Sequence, residues 1–233
     1  MIMLKVERLK LWLGCLVKYR MKMKFLFILF SFSTYLTYAQ DNNKSKLKPY
    51  KVGFLFNNAT NENFLNDDPD YTYSTNTYKA QAFYELGNWK GLELELIVQP
   101  QVQFLKHQLL NEQYVLPSED NYLEKRDEFT QAKTLHLYGI EFGFAAKKRL
   151  FEKLDLQGTI SLGFNYIDTR TERLAKGFTF NENFSLGFSY NIIKDSYLYF
   201  GSNFFGHISN LNFQKPNDGY NIFGLEIGYS YEL

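Results

Sequence analysis

The sequence predicts an all-β fold: one closed barrel of eight antiparallel strands that crosses an outer membrane. Three observations predict it. Apolar and polar residues alternate over long stretches, as they do where successive side chains point to opposite faces of a strand. Aromatic residues reach 18 % while mean hydropathy stays at −0.34, so the apolar residues are interleaved with polar ones and not gathered into apolar helices. Connections between the alternating stretches run short, then long, in turn, which is the pattern of periplasmic turns and outer loops.

Eight segments carry the alternation: 50–57, 76–86, 91–105, 134–148, 152–167, 177–191, 196–209 and 220–233. The fifth is the clearest. Its even positions read Leu154, Leu156, Gly158, Ile160, Leu162, Phe164 and Tyr166, against Asp155, Gln157, Thr159, Ser161, Gly163 and Asn165. The sixth sets Phe180, Phe184, Leu186 and Phe188 against Thr179, Asn183, Ser185 and Gly187, and the eighth sets Phe223, Leu225, Ile227, Tyr229 and Tyr231 against Gly224, Glu226, Gly228 and Ser230. In the seventh both faces are mixed. Several segments exceed the soluble average of about six residues and reach the roughly ten that a tilted membrane strand needs. Eight is the smallest even number found in such barrels, and closure leaves no unpaired edge in lipid. A soluble ligand-binding barrel would also alternate, but with its greasy face inward. Here Glu93, Glu95, Glu141, Asp155 and Glu226 share a face with Gly, Ser and Asn, while Tyr and Phe crowd the other.

Short connections follow the second, fourth and sixth segments (87–90, 149–151, 192–195); longer polar ones, including 58–75 and 106–133, follow the others. Both termini therefore fall on the periplasmic side, and the end of the seventh segment falls on the outside. Ahead of the barrel, Met21-Lys22-Met23-Lys24, the apolar run Phe25 to Phe32 and Thr37-Tyr38-Ala39 read as an export signal cleaved after Ala39, with the true start at Met21. Residues 1–39 are thus expected to be extension and signal, 40–49 a polar leader and 50–233 the barrel.

Residues 1–39 hold seven Lys/Arg and one Glu, which leaves 19 basic and 24 acidic residues and a net charge of about −5 in the rest of the chain. That balance argues against nucleic acid as a partner. Cys15 is the only cysteine and precedes the cleavage point, so disulfides and thiolate metal sites are excluded from the exported part. Of three histidines, His107 is expected in a long loop and His136 at the start of the fourth segment, both as plain surface residues.

His207 differs in its company. It opens the stretch His207-Ile208-Ser209-Asn210-Leu211-Asn212, followed by Pro216-Asn217-Asp218-Gly219-Tyr220-Asn221. His207 and Ser209, two apart on a strand, share one face, and an imidazole beside a serine hydroxyl can take its proton at neutral pH. Asn221 has the parity of Phe223 and Leu225, the lipid-facing set. The pattern His-x-Ser-Asn, then Pro-Asn-x-Gly, then a last strand resembles the lipid A 3-O-deacylases, or acyloxyacyl hydrolases, which are eight-stranded outer-membrane barrels. The resemblance covers residues 203–233 in motif and the exported chain in architecture.

The resemblance implies that Ser209 is the nucleophile, His207 the general base and Asn210 an oxyanion-hole donor, with no metal or cofactor. It further implies lipid A or lipopolysaccharide as the partner, in the outer membrane of a Gram-negative-type cell. Two positions depart from it. Asn221 stands where the family carries a glutamate that orients and stabilises the imidazolium, and Asn212 stands where it carries a glycine. An amide can still fix a histidine tautomer but supplies no negative charge. Asp218 and Glu226 are the nearby acids, and Glu226 lies on the opposite face. The reading is an esterase that releases an acyl chain from lipid A or a related glycolipid; the alternative is a non-catalytic barrel with a structural or binding role.

Overall fold

The structure is a computed structural model that describes residues 48–61 and 69–233. The proposed signal, cleavage point and most of the leader lie outside the described residues. Eight antiparallel strands close into one barrel in chain order: β1 (Lys51–Thr60), β2 (Tyr71–Trp89), β3 (Leu92–Leu109), β4 (Lys133–Phe151), β5 (Leu154–Ile167), β6 (Gly177–Ile193), β7 (Ser196–Ser209) and β8 (Tyr220–Glu232). β8 returns to β1 through pairs such as Val52 with Tyr231 and Asn58 with Leu225, so no sheet edge is left open. A nine-residue helix, α1 (Tyr122–Thr130), interrupts the longest connection.

The expected alternation is seen in which side chains are exposed. Phe142, Phe144, Ile160, Leu162, Phe164, Phe184, Leu186, Phe188, Leu225 and Ile227 all face outward, forming an apolar belt that suits hydrocarbon and would be costly in water. Several strands are longer than the sequence suggested, β2 and β3 most of all on the loop side. β2 starts at Tyr71 and β3 runs on to Leu109, because their outer thirds carry Thr72, Ser74, Asn76, Lys106 and Gln108 on the outward face, where the belt gives way to polar surface. Polar residues there hide the alternation without weakening the backbone ladder.

The lumen is filled in two different ways. Toward the short turns it is ionic. Glu95 takes Lys51 at 2.9 Å and Lys147 at 2.6 Å. In mid-barrel Glu141, 1 % exposed, accepts from Lys79 at 2.7 Å, Gln99 at 3.1 Å, Ser161 at 2.7 Å, Asn181 at 2.6 Å and Asn183 at 2.9 Å. A buried carboxylate is tolerable only with this many donors. Voids of about 10 and 20 Å³ remain, room for roughly one water each and not for a solute path.

Toward the long loops the lumen is apolar. Leu105, Leu109, Leu135, Leu137, Ile167, Ile208, Tyr220 and Ile222 meet there, capped by Val115, Phe129 and Leu174 from the loops. His107 belongs to this layer and not to a surface loop as expected. It is inward on β3, 3 % exposed, with Nε2 2.8 Å from Glu172 Oε1 in an ion-pair arrangement. Its burial follows from β3 extending past the expected end. His136 sits on the outside of β4, half-buried, with Nδ1 2.7 Å from Asp168 Oδ2.

Candidate functional site

The mixed faces of β7 have a specific cause. From Tyr197 to Asn203 odd residues point inward, each pairing regularly with β6 and β8. Phe204 is then an extra residue: Ser185 of β6 pairs with Asn203, and the next residue back, Phe184, pairs with Phe205. Two residues on one strand opposite one on its partner form a β-bulge, which raises the twist and reverses the parity beyond it. Past the bulge Gly206 and Ile208 face the lumen, so His207 and Ser209 face the membrane side.

His207 pairs directly with Asn221 of β8, and its Nδ1 lies 2.9 Å from Asn221 Oδ1. A carbonyl oxygen only accepts, so this contact calls for the proton on Nδ1, the tautomer of a neutral ring whose lone pair is on Nε2. Two positions further toward the loops, the ring edge reaches Gly219. A Cβ built there would meet Ile208 O at 2.4 Å, His207 Cε1 at 3.1 Å and Nε2 at 3.3 Å, and the backbone has φ +71°. Glycine at 219 therefore leaves the space that the imidazole tip occupies, beside the cross-strand position of Ser209.

Ser209 is 7 % exposed and pairs with Phe180 of β6, whose ring packs against Phe213 at 6.1 Å. Among the described residues it makes no hydrogen bond to His207. The two share a face about 6.6 Å apart along the strand. Asn210 is 2 % exposed and holds the following loop: its N–H donates to Asn217 Oδ1 at 2.6 Å, and its amide donates to Gln214 O at 2.7 Å and Pro216 O at 3.4 Å. Asn212 has φ 62°, the left-handed conformation for which glycine is the ordinary choice and asparagine the best tolerated substitute. Asparagine at 212 thus suits the backbone conformation found there.

The loop is strapped from two sides. Arg173, in the connection after β5, accepts from Asp218 N at 2.7 Å and Gly219 N at 3.2 Å and donates through Nε to Gly219 O at 2.7 Å. Tyr114 donates to Asp218 Oδ2 at 2.8 Å, and burial together with that bond pushes its phenol up to about 12, so it remains a donor at neutral pH. Asp218 is thus turned toward the loop cluster, while Glu226 lies in the lumen, 4 % exposed, beside the Tyr199 hydroxyl. Of the residues singled out in the sequence, the structure brings together His207 and Asn221, leaves Ser209 on the same face, and sets Asn210, Asp218 and Glu226 to other contacts.

Beside this pair an open groove of about 440 Å³ is lined by Phe184, Phe204, Phe205 and Phe223, together with Glu182, His207 and Asn221 of the outward face and Ser161, Asn183, Gly206 and Ile222 of the inward one. Sequence reasoning passed over Glu182. Its signal was present: a carboxylate at an even, lipid-facing position of a strand whose other even residues are Phe178, Phe180, Phe184, Leu186 and Phe188. No group of His, Cys, Asp and Glu among the described residues is arranged to hold a metal ion.

Comparison with known proteins adds the following. A family model described as lipid A 3-O-deacylase (PagL) matches residues 17–230. Similar solved structures include the outer membrane enzyme PagL, at 12 % identity with a TM-score of 0.46 over 78 % of this chain and 99 % of that one. Neisserial surface protein A is similar at 13 % identity and TM-score 0.42, covering 78 % and 96 %. The outer membrane protein AlkL is similar at 11 % identity and TM-score 0.38, covering 82 % and 94 %. No curated protein sequence matches.

Proposed function

The chain belongs to the lipid A 3-O-deacylase (PagL) family, outer-membrane barrels of Gram-negative bacteria that modify lipid A, and from that premise we propose that it hydrolyses an acyl ester of lipid A or a related glycolipid with Ser209 as nucleophile and His207 as base. The observation that carries the proposal is the His207 Nδ1 to Asn221 Oδ1 bond on the lipid-facing side of the barrel, one strand residue removed from a serine on the same face. With Nδ1 held, Nε2 is the nitrogen free to take the Ser209 proton. Rotation of the serine side chain and docking of substrate close the remaining gap, as catalytic hydrogen bonds often tighten only in the substrate complex.

The steps balance as an ordinary acyl transfer. Ser209 Oγ attacks the ester carbonyl carbon while its proton passes to Nε2, and the sugar C–O oxygen leaves with that proton. Water then attacks the acyl-serine by the same route, releasing a fatty acid and the free serine. The oxyanion that develops needs a donor. For Asn210 to serve, it would exchange one of its loop bonds for the substrate oxygen; its backbone N–H, next to Ser209 and bonded to Asn217, is the one in place. A membrane-side site suits the substrate, since the acyl chain can lie along the Phe204, Phe205 and Phe223 groove without leaving an apolar environment.

The test is mass spectrometry of lipid A from cells with and without the expressed protein. Loss of one acyl chain is expected. Ser209→Ala and His207→Ala should each abolish it, the double variant should be no worse, and all three should keep the heat-modifiable migration of a folded barrel. Unchanged lipid A in every sample would return the protein to the non-catalytic reading.

A further inference from the structure

We infer that Glu182 supplies, from the neighbouring strand β6, the negative charge that Asn221 cannot provide on β8; this rests on the deacylase reading above. Three observations meet at this residue. The first is register. Glu182 is the cross-strand partner of His207 on one side, as Asn221 is on the other, so the three lie in one row across β6, β7 and β8. Directly opposed side chains on one face have Cβ atoms about 4.5–5.5 Å apart, within reach of a glutamate and an imidazole.

The second is its setting. Among the described strand residues, the outward face of the barrel carries three charged side chains, and two of them, Lys106 and Lys148, stand at the rims. Glu182 stands inside the belt, paired on its other side with Leu162 and flanked along β6 by Phe180 and Phe184. It makes no hydrogen bond or ion pair among the described residues. A lone carboxylate in such a place opposes membrane insertion, and ionisable groups kept there mark function more often than stability.

The third is the groove itself. Among the described residues, His207 and Glu182 are its only ionisable lining side chains; from β8 it receives the neutral Asn221, Ile222 and Phe223, and from β7 Phe204 and Phe205. No other charge among the described residues lines this groove to do the same work. Asp218 is held by Tyr114, and Glu226 is across the barrel wall.

Glu182 is a positioning residue, acting through His207 and not on the substrate. When Nε2 takes the serine proton, the ring becomes a cation. Asn221 keeps Nδ1 oriented, and the Glu182 carboxylate stabilises the cation through space in a setting of low dielectric. Orientation and charge, which one glutamate provides in the family pattern, are here divided between two strands that flank the histidine.

The experiment measures acyl release and its pH profile in vesicles containing lipid A, for the wild type, Glu182→Gln, Asn221→Glu and the double variant. Glu182→Gln should fold at least as well as the wild type by heat-modifiable migration, since it removes a charge from the belt. It should lose about tenfold or more in kcat with little change in KM. Its pH profile should change as well, because the groove then loses one of the two ionisable side chains that line it. Asn221→Glu in the Glu182→Gln background should restore both rate and profile, whereas Asn221→Glu alone should gain little. A Glu182→Gln variant with wild-type rate and profile overturns this inference and leaves the deacylase reading standing. A wild-type protein that releases no acyl chain overturns both.

Discussion

The two halves of β7 are built from similar residues and do opposite things with them. From Ser196 to Asn203 the odd positions point inward, and Asn203, 3 % exposed, bonds to Asn183 within the lumen. From Phe205 to Ser209 the odd positions point to the membrane, and that half carries the proposed nucleophile and base. One residue, Phe204, separates the two arrangements. Had the strand continued without it, the wall would pair regularly; with it, the extra length is absorbed as twist and both Phe204 and Phe205 reach the outer face. The comparison teaches that His207 and Ser209 share the numbering parity of the inward residues of the first half and yet stand outside, because one residue between the two halves goes unpaired.

Single-residue deletions break this comparison most severely. Deleting Phe204 removes the unpaired residue and leaves every other pair in register, so the barrel should assemble with His207 still outward and acyl release lowered by the lost twist. Deleting Ser202 also removes the bulge, but it turns Asn203 toward lipid and drives Phe204 into a lumen with voids of only about 10 and 20 Å³. That variant should not assemble. Heat-modifiable migration separates the two, and equal assembly of both would show that the parity of the regular half is unimportant.

A smaller effect is expected beyond the bulge, at Gly219. Alanine there places a methyl 2.4 Å from Ile208 O and against the His207 ring at a φ of +71°. The ring should be displaced while the barrel stands, with a loss of up to about 10²-fold in acyl release, the order expected for a misplacement near 1 Å. Wild-type turnover in a folded Gly219→Ala protein would mean that the ring does not need that space. The smallest effect belongs to Asn212. Asn212→Gly should be neutral in stability and activity, and Asn212→Ala should cost about 1 kcal/mol, the penalty for an ordinary residue in the left-handed region at φ 62°. Denaturant titration of the folded barrel reads the difference.

Legibility followed the periodicity. β5, β6 and β8 could be placed from sequence because a period of two, sustained for a dozen residues, has one structural meaning. The outer thirds of β2 and β3 could not, since Thr72, Ser74 and Asn76 face polar surface and break the apolar pattern. His107 escapes the sequence for the same reason: the apolar alternation of β3 ends near residue 105, while the strand runs on to Leu109. The apolar plug under the loops was equally hidden. Leu105, Leu135 and Leu137 are inward, and a rule that assigns polar residues to the lumen puts them on the wrong side.

The site divides in the same way. Local spacing placed His207 and Ser209 on one face and put Asn221 at the start of the last strand, which is enough to identify a candidate base, nucleophile and orienting amide. Spacing along one chain says nothing about Glu182, twenty-five residues earlier, because its relation to His207 exists only through the pairing of β6 with β7. Nor does it reveal that the N–H groups of Asn210 are taken up by the 210–217 loop.

The sequence by itself determined the class of fold, the number of strands, which ends of the barrel carry turns and loops, and the residues at which chemistry is to be sought, since all of these are written in short-range periodicity and composition. Only the tertiary structure decided on which side of the wall those residues stand and which charge stands beside them. Both depend on inter-strand register, and register is set by hydrogen bonds between segments far apart in the chain, where a single unpaired residue is enough to reverse a face.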